Sequence, residues 1–208
     1  MRIIAGLAKG RRLATPGARG GEIIRPTADR AREALFSILG WEFIREAVVL
    51  DLFAGTGAMG LEALSRGARQ AVFVDNSPVA LNLIRHNIEA CGFGDRAQVI
   101  RHDLRKNLSF AAGQGLGAFD IVFLDPPYRQ SLGQSILAAL LFQRLVKEQG
   151  VVIAEDDSRE TLPDSVGRLV LYDRRAYGDT GFWLYENHRV ALEPATTIEA
   201  QTSRERDD

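Results

Sequence analysis

The sequence predicts a doubly wound α/β fold built on a mostly parallel sheet, and three observations carry that prediction. From residue 47 onward short apolar runs alternate with helix-like segments. Gly55, Gly57 and Gly60 stand where the first run passes into the first of those helices. Toward the C-terminus two further runs face each other across a turn-rich stretch with no helix between them.

The parallel strand candidates are Ala47–Ala54, Ala71–Asp75, Ala97–Asp103, Phe119–Pro126 and Gly150–Glu155. Several are apolar at consecutive positions, as strands are when helices cover both faces of a sheet. Between them lie Ala58–Arg66, ended by Gly67, and a helix capped by Ser77 with Pro78 at its first position and Gly92 at its close. Leu132–Glu148 supplies another helix. Arg168–Asp173 and Gly181–Asn187, around Tyr177-Gly178-Asp179-Thr180, form the closing antiparallel hairpin, which makes seven strands. Upstream, Thr27–Gly40 is a helix with Ala31, Ala34, Leu35, Ile38 and Leu39 on one face and Arg30 and Glu33 opposite. Arg2–Thr15 reads as a small basic hairpin followed by a flexible link through Gly17, Gly20 and Gly21. The expected organisation is a basic hairpin and linker over 1–24, one domain over 25–192, and a loose acidic tail over 193–208.

A chain of 208 residues can bury a sizeable core. No apolar stretch reaches bilayer length, and no charged-then-apolar leader opens the sequence. Cys91 is alone, and His86, His102 and His188 lack metal-ligand spacing. A cytoplasmic protein with no membrane or metal partner is expected. The net charge of -1 hides an uneven spread. Residues 1–32 hold eight basic side chains against Glu22 and Asp29, while the tail from Glu193 holds five acids against Arg204 and Arg206. A basic arm beside a near-neutral body suits a polyanionic partner, the alternative being a solvated arm with none. Arginine far outnumbers lysine, which favours forked phosphate contacts, although GC-rich coding produces the same bias.

The segment Val49-Leu50-Asp51-Leu52-Phe53-Ala54-Gly55-Thr56-Gly57-Ala58-Met59-Gly60 satisfies G-x-G-x-x-G, and Asp75 follows 20 residues after Gly55 at the next strand tip. Glycines permit a tight turn and close ligand approach, and a carboxylate at that tip accepts bonds from ribose hydroxyls. A dinucleotide needs a bare helix N-terminus for its pyrophosphate. Asp51 would be unhelpful there, but it suits a ligand with an ammonium group, held directly or through water.

Farther on, a buried-looking strand runs into Asp125-Pro126-Pro127-Tyr128. Two prolines stiffen the turn and remove two N–H donors, leaving acceptors. An exocyclic base amine is a poor nucleophile because its lone pair is delocalised into the ring. Acceptors on both its N–H bonds free that pair, so Asp125 and the Pro126 carbonyl can activate such an amine while Tyr128 stacks on the base. A plain strand-ending turn is the competing reading. Cys91 lies in a helix away from this turn, which disfavours nucleophilic methylation at a pyrimidine carbon.

With Asp51 and Phe53-Ala54-Gly55-Thr56-Gly57 the loop resembles the cofactor loop of class I methyltransferases. The upstream segments Arg2-Ile3-Ile4-Ala5-Gly6, Gly10-Arg11-Arg12-Leu13 and Arg25-Pro26-Thr27-Ala28-Asp29-Arg30-Ala31-Arg32-Glu33 narrow the likeness. Together with the tetrad they resemble the bacterial 16S ribosomal RNA guanine-N2 methyltransferase family, of the guanine(966) type. The resemblance spans about Arg2 to Tyr185, departs from some relatives in Tyr rather than Phe at 128, and leaves the acidic tail outside it. It implies a Rossmann-like class I methyltransferase fold with a seven-stranded, mostly parallel sheet, and S-adenosylmethionine as cofactor with S-adenosylhomocysteine as product. It implies that Arg25 and Thr27 line the cofactor pocket, that Asp75 and Asn76 serve the ribose, and that Asp103 and Leu104 lie by the adenine. An ordinary N-cap stands beside that reading of Asp103. The implied partner is 16S ribosomal RNA, within a small-subunit particle, met by Arg2, Lys9, Arg11, Arg12, Tyr177 and Gly178. Two other functions remain open on sequence: a DNA adenine-N6 methyltransferase, which normally needs a further recognition segment, and a non-catalytic ribosome-assembly factor.

Overall fold

A computed structural model describes residues 1–17, 26–111, 116–127 and 132–189. The expected flexible link, Arg25, Tyr128 and the acidic tail fall outside those residues, as do the side chains of 26–28.

Five parallel strands form one half of the sheet: β1 (Val48–Leu52), β2 (Gln70–Asp75), β3 (Ala97–Arg101), β4 (Phe119–Leu124) and β5 (Val146–Asp157). The other half is antiparallel: β6 (Ser165–Val166), β7 (Leu169–Tyr177) and β8 (Thr180–Asn187). The spatial order is β3-β2-β1-β4-β5-β8-β7-β6. Strand order therefore reverses between β1 and β4. In a doubly wound sheet a crevice opens at that reversal, outside the carboxyl ends of the two strands. The sheet has eight strands rather than the seven expected, because two residues before β7 turn back and pair with it.

The helices are α1 (Pro26–Leu39), the single turn α2 (Trp41–Ile44), α3 (Ala58–Ser65), α4 (Pro78–Cys91) and α5 (Leu132–Phe142). Ser77 caps α4 by accepting the Ala80 N–H, with Pro78 at the first helical position and Gly92 closing it in the left-handed region. On α1 the residues Ala31, Leu35 and Leu39 are buried against the core while Arg30 and Glu33 are exposed. One expectation fails. The helix read as Leu132–Glu148 stops at Phe142, Arg144 takes φ 54°, and β5 begins at Val146. Arg144, Leu145, Lys147 and Glu148 are good helix formers, but pairing of Val146 with Phe119 and burial of Leu145 and Val146 override that local preference. A register shift against β4 follows, with Gln149 at φ 61°.

The N-terminal arm turns back through Ile3 N–H to Arg11 carbonyl (2.9 Å) and Gly10 N–H to Ile3 carbonyl (2.9 Å), with a single antiparallel bridge between Arg2 and Arg12. Turns at Gly6–Lys9 and Ala8–Arg11 use up the intervening residues, so the hairpin has no extended strands. It docks on α3. Glu62, fully buried, accepts the N–H groups of Ile4 (2.8 Å) and Ala5 (3.0 Å), and Ser65 accepts those of Leu7 and Ala8. A Cβ on Gly6 would lie 1.8 Å from the Ser65 carbonyl oxygen, so only glycine allows this seat. Buried Asn87 of α4 bonds both the N–H and carbonyl of Ala14, and its amide also reaches the Thr56 carbonyl.

Candidate active site

The tip of β1 bends sharply into α3. Phe53 is held at φ 57°, a strained value for a side chain of that size, and such strain gathers at functional turns. Gly57 caps α3 at φ 76°. Gly60 lies inside α3 where a Cβ would sit 2.4 Å from the Phe73 ring and 3.2 Å from Asp51, so the third glycine lets the helix lie flat on the sheet. Asp75 braces the loop from the neighbouring strand: one carboxyl oxygen accepts the Gly55 N–H (3.0 Å) and the other the Ser77 N–H (2.9 Å).

Asp51 is 3% exposed and accepts only the Gly60 N–H (2.9 Å) among the bonds found for its carboxyl. Burial pushes its pKa up to about 8, the Gly60 N–H pulls it back, and the charges of Asp125 and Asp75 add to the rise. Asp125 leaves the end of β4, tied by its N–H to the Leu52 carbonyl of β1 (3.4 Å). Loss of water around its carboxyl, then the charges of Glu155 and Asp156, push it well above the usual carboxylate range. The residue is exposed at the cleft mouth, where solvent screens part of that effect.

A cleft of about 220 Å³ joins these parts. The loop residues Phe53, Ala54, Gly55 and Thr56 form one side, Asp51 the floor, and Asp125, Glu155 and Phe182 the other side. Met1 of the arm and Arg32 of α1 also line it. Of the residues expected around a cofactor, Asp75, Asn76 and Asp103 lie beyond this cleft along the tips of β2 and β3. Asp103 accepts from Arg105 Nε (2.9 Å) and weakly from Asn76 Nδ2 (3.4 Å), and the Arg105 bond holds its carboxyl below the usual range. Leu104 is in the core with Val72 and Val74, which leaves its backbone alone for a ligand. Thr27 lies in the first turn of α1. Pro126 is buried and Pro127 exposed.

Arg2, Lys9, Arg11 and Arg12 are exposed, and Arg2 and Lys9 border a groove of about 540 Å³ with Arg30 across it. Tyr177 packs on Phe182 with ring centroids 6.2 Å apart, which brings the β7–β8 turn to the cleft wall. The Gly178 carbonyl accepts the Ser158 hydroxyl. Sequence reading missed Arg32, which is 4% exposed, donates to the Arg2 carbonyl (2.6 Å) and to Asp29 (3.0 Å), and lines the cleft. It also missed Glu62, Glu155 and Phe182. Among the described residues no group of three or more His, Cys, Asp or Glu could hold a metal ion, and no helix is long and apolar enough to cross a membrane.

The family described as Conserved hypothetical protein 95 matches residues 1–186. The chain belongs to that family. Its relatives include a Bacillus subtilis protein provisionally named rRNA methyltransferase YlbH, 37% identical over 89% of this chain and 98% of that protein. Another is Ribosomal RNA small subunit methyltransferase D of Escherichia coli, 33% identical over 89% of each chain. A solved E. coli structure, provisionally described as the methyltransferase yhhF, superposes with a TM-score of 0.76 at 32% identity, covering 90% of this chain and 98% of that one. The stretch matched by the Conserved hypothetical protein 95 family runs from the basic arm into the last strand of the sheet, residues 1–186. An RNA methyltransferase from Salinibacter ruber, solved with S-adenosyl-L-homocysteine, has the same fold at 15% identity and a TM-score of 0.55, covering 84% of this chain and 97% of that one.

Proposed function

We propose that this chain is an S-adenosylmethionine-dependent methyltransferase of small-subunit ribosomal RNA that modifies the exocyclic N2 amine of a guanine. The observation that carries the reading is the meeting of the glycine loop and Asp125 in one cleft at the β1/β4 reversal, with the basic arm at its edge. The ribosomal RNA relatives support the substrate class.

The residues present fit the cofactor. Asp51 is a carboxyl with one N–H partner and two negative neighbours, and a ligand ammonium group beside it would restore its charge. Each oxygen of Asp75 has accepted one N–H and keeps acceptor capacity for a ribose hydroxyl. S-adenosylmethionine supplies a methyl group whose bond to sulfur breaks as the amine's N–CH₃ bond forms, leaving S-adenosylhomocysteine.

The chain's own work is on the amine. Asp125 and the Pro126 carbonyl accept its two N–H bonds, Tyr128 stacks on the base, and the flipped guanine is oriented toward the loop. Crowding by Glu155 and Asp156 makes ionised Asp125 a stronger proton acceptor than a solvated aspartate, suited to the proton the amine sheds. Arg25 and Thr27 complete the cofactor side, Asn76, Asp103 and the Leu104 backbone the adenine end. Arg2, Lys9, Arg11, Arg12, Tyr177 and Gly178 hold the RNA backbone. The guanine(966) site within a small-subunit particle is the specific target.

Labelled cofactor supplied with undermethylated small subunits, free 16S RNA and duplex DNA tests this reading. N2-methylguanine in the ribosomal RNA is the expected product. Label confined to DNA adenine, or none in any substrate, would overturn it.

A further inference from the structure

Asp125 has a carboxylate neighbour that the activation of an amine does not require. In the parallel pairing of β4 with β5, Leu124 stands beside Ala154, so Asp125 and Glu155 occupy the next position on the two strand tips. Both side chains line the cleft, and the Glu155 charge acts on Asp125. On its other side Glu155 pairs with Phe182 of β8, whose ring forms the adjacent wall. The same cleft is lined by Arg32, buried and held by the Arg2 carbonyl, by Asp29 and, at 3.8 Å from its Nε, by Glu62.

Two carboxylates side by side repel each other unless N–H donors come between them. The Watson–Crick edges of the bases differ in what they bring. Guanine presents N1–H directly beside its N2 amine, an unbroken row of donors. Adenine and cytosine present an amine beside a bare ring nitrogen, an acceptor whose lone pair would face a carboxylate. A site built around donors rejects an analogue lacking one because its own acceptors are then left facing a lone pair.

We propose that Glu155 is the specificity-determining residue of this site: it accepts the N1–H of the target guanine while Asp125 accepts from the N2 amine. The inference rests on the guanine-N2 reading and deepens it. Glu155 selects the base, and Asp125 activates the atom.

The test uses an RNA hairpin substrate carrying at the target position either guanine or 2-aminopurine, which keeps the N2 amine but has a bare N1. Wild type and Glu155→Gln are compared by kcat/KM on both, with the thermal shift by S-adenosylhomocysteine read alongside. Wild type should prefer guanine. Glutamine can donate an N–H to a bare N1, so Glu155→Gln should shrink the guanine to 2-aminopurine ratio by about 10- to 100-fold. The thermal shift should persist, which shows the variant folded. A ratio unchanged from wild type, with both substrates slowed equally, would overturn the role, since a merely structural glutamate lowers both together. Loss of the thermal shift with the ratio intact would also overturn it, by placing Glu155 at the cofactor. If wild type methylates no guanine at N2, the functional reading itself fails, an outcome distinct from an unchanged ratio.

Discussion

Two buried carboxylates sit on neighbouring elements of this protein and are treated in opposite ways. Glu62, on α3, accepts two backbone N–H groups from the arm, takes Arg66 Nε at 2.8 Å and lies 3.8 Å from Arg32 Nε. Asp51, on β1, accepts one backbone N–H and faces the charges of Asp125 and Asp75. A buried charge is tolerated where it is paired and hydrogen-bonded, and is costly otherwise. Glu62 is therefore complete without a ligand and serves the architecture. Asp51 is incomplete, and in the proposed function its partner is the ammonium group of the cofactor.

The largest expected effect lies on the incomplete side. Asp125→Ala should lower kcat at least about 100-fold, the scale of losing one positioned polar group at a reacting centre, while S-adenosylhomocysteine binding stays within about threefold, less than one hydrogen bond's worth. Single-turnover rates and calorimetry measure the two. A matching loss of both would make Asp125 a cofactor residue. In the wild type Asp125 must be ionised to accept an N–H bond. Its raised pKa thus predicts that kcat/KM for RNA falls, as pH is lowered, well above the range where an ordinary aspartate protonates.

Glu62→Ala attacks the complete side. Removing the acceptor strands two arm amides and Arg66, and should cost about 3–5 kcal/mol, read from chemical denaturation. A loss below about 1 kcal/mol, the scale of one ordinary hydrogen bond, would erase the contrast.

Asp51→Asn should do the reverse. The folded state holds a proton on Asp51 that the unfolded chain releases near pH 4, so stability declines as pH rises from about 4 to about 8. Asparagine keeps the acceptor for Gly60 and removes that decline. The variant should match wild type near pH 4 and exceed it at pH 8 by several kcal/mol, since each pK unit between the folded and unfolded values carries ~1.4 kcal/mol. Its S-adenosylhomocysteine affinity should drop about tenfold, the scale of one charge-assisted hydrogen bond. A variant less stable at pH 8 would show that Asp51 already has its partner.

The smallest effect belongs to the arm's exposed face. Neutral replacement of Lys9, Arg11 and Arg12 together should weaken RNA binding and reduce the salt slope of log affinity by about 2–3. Equal slopes would remove these three from the RNA contact. The Met1 side chain lines the cleft and Arg2 is bonded to Arg32, so the arm is closer to the cleft than its place in the sequence suggests.

What the sequence made legible was whatever answers a local demand. Gly57 and Gly60 each satisfy a requirement of the turn or of the helix it starts, and consecutive apolar residues mark Val49–Leu52 and Ile121–Leu124 as covered on both faces. The Asp-Pro-Pro turn was visible because proline removes donors wherever it stands. Contacts between distant residues left no such mark. Glu62 meets Ile4 across 58 positions and Asn87 meets Ala14 across 73, and no spacing rule links them. Glu155 was hidden differently: its strand was read, but the register that sets it beside Asp125 belongs to the folded sheet. Lys147 and Glu148 read as helix because their local preference is helical, and only pairing with Phe119 draws that stretch into β5.

The seat of Gly6 against the Ser65 carbonyl has a consequence for anyone who would engineer this protein. An arm that merely hung from the domain could be moved between methyltransferases as a cassette. Here the hairpin is threaded onto the last turn of α3 with no room for one extra carbon, and the first turn of the same helix opens the glycine loop. The arm's seat and the glycine loop, substrate grip and cofactor loop in the proposed function, are two ends of one eight-residue rod. A transplant must carry the rod along, and a screen that randomises the arm while leaving Glu62 and Ser65 fixed will explore only sequences that still clamp onto it.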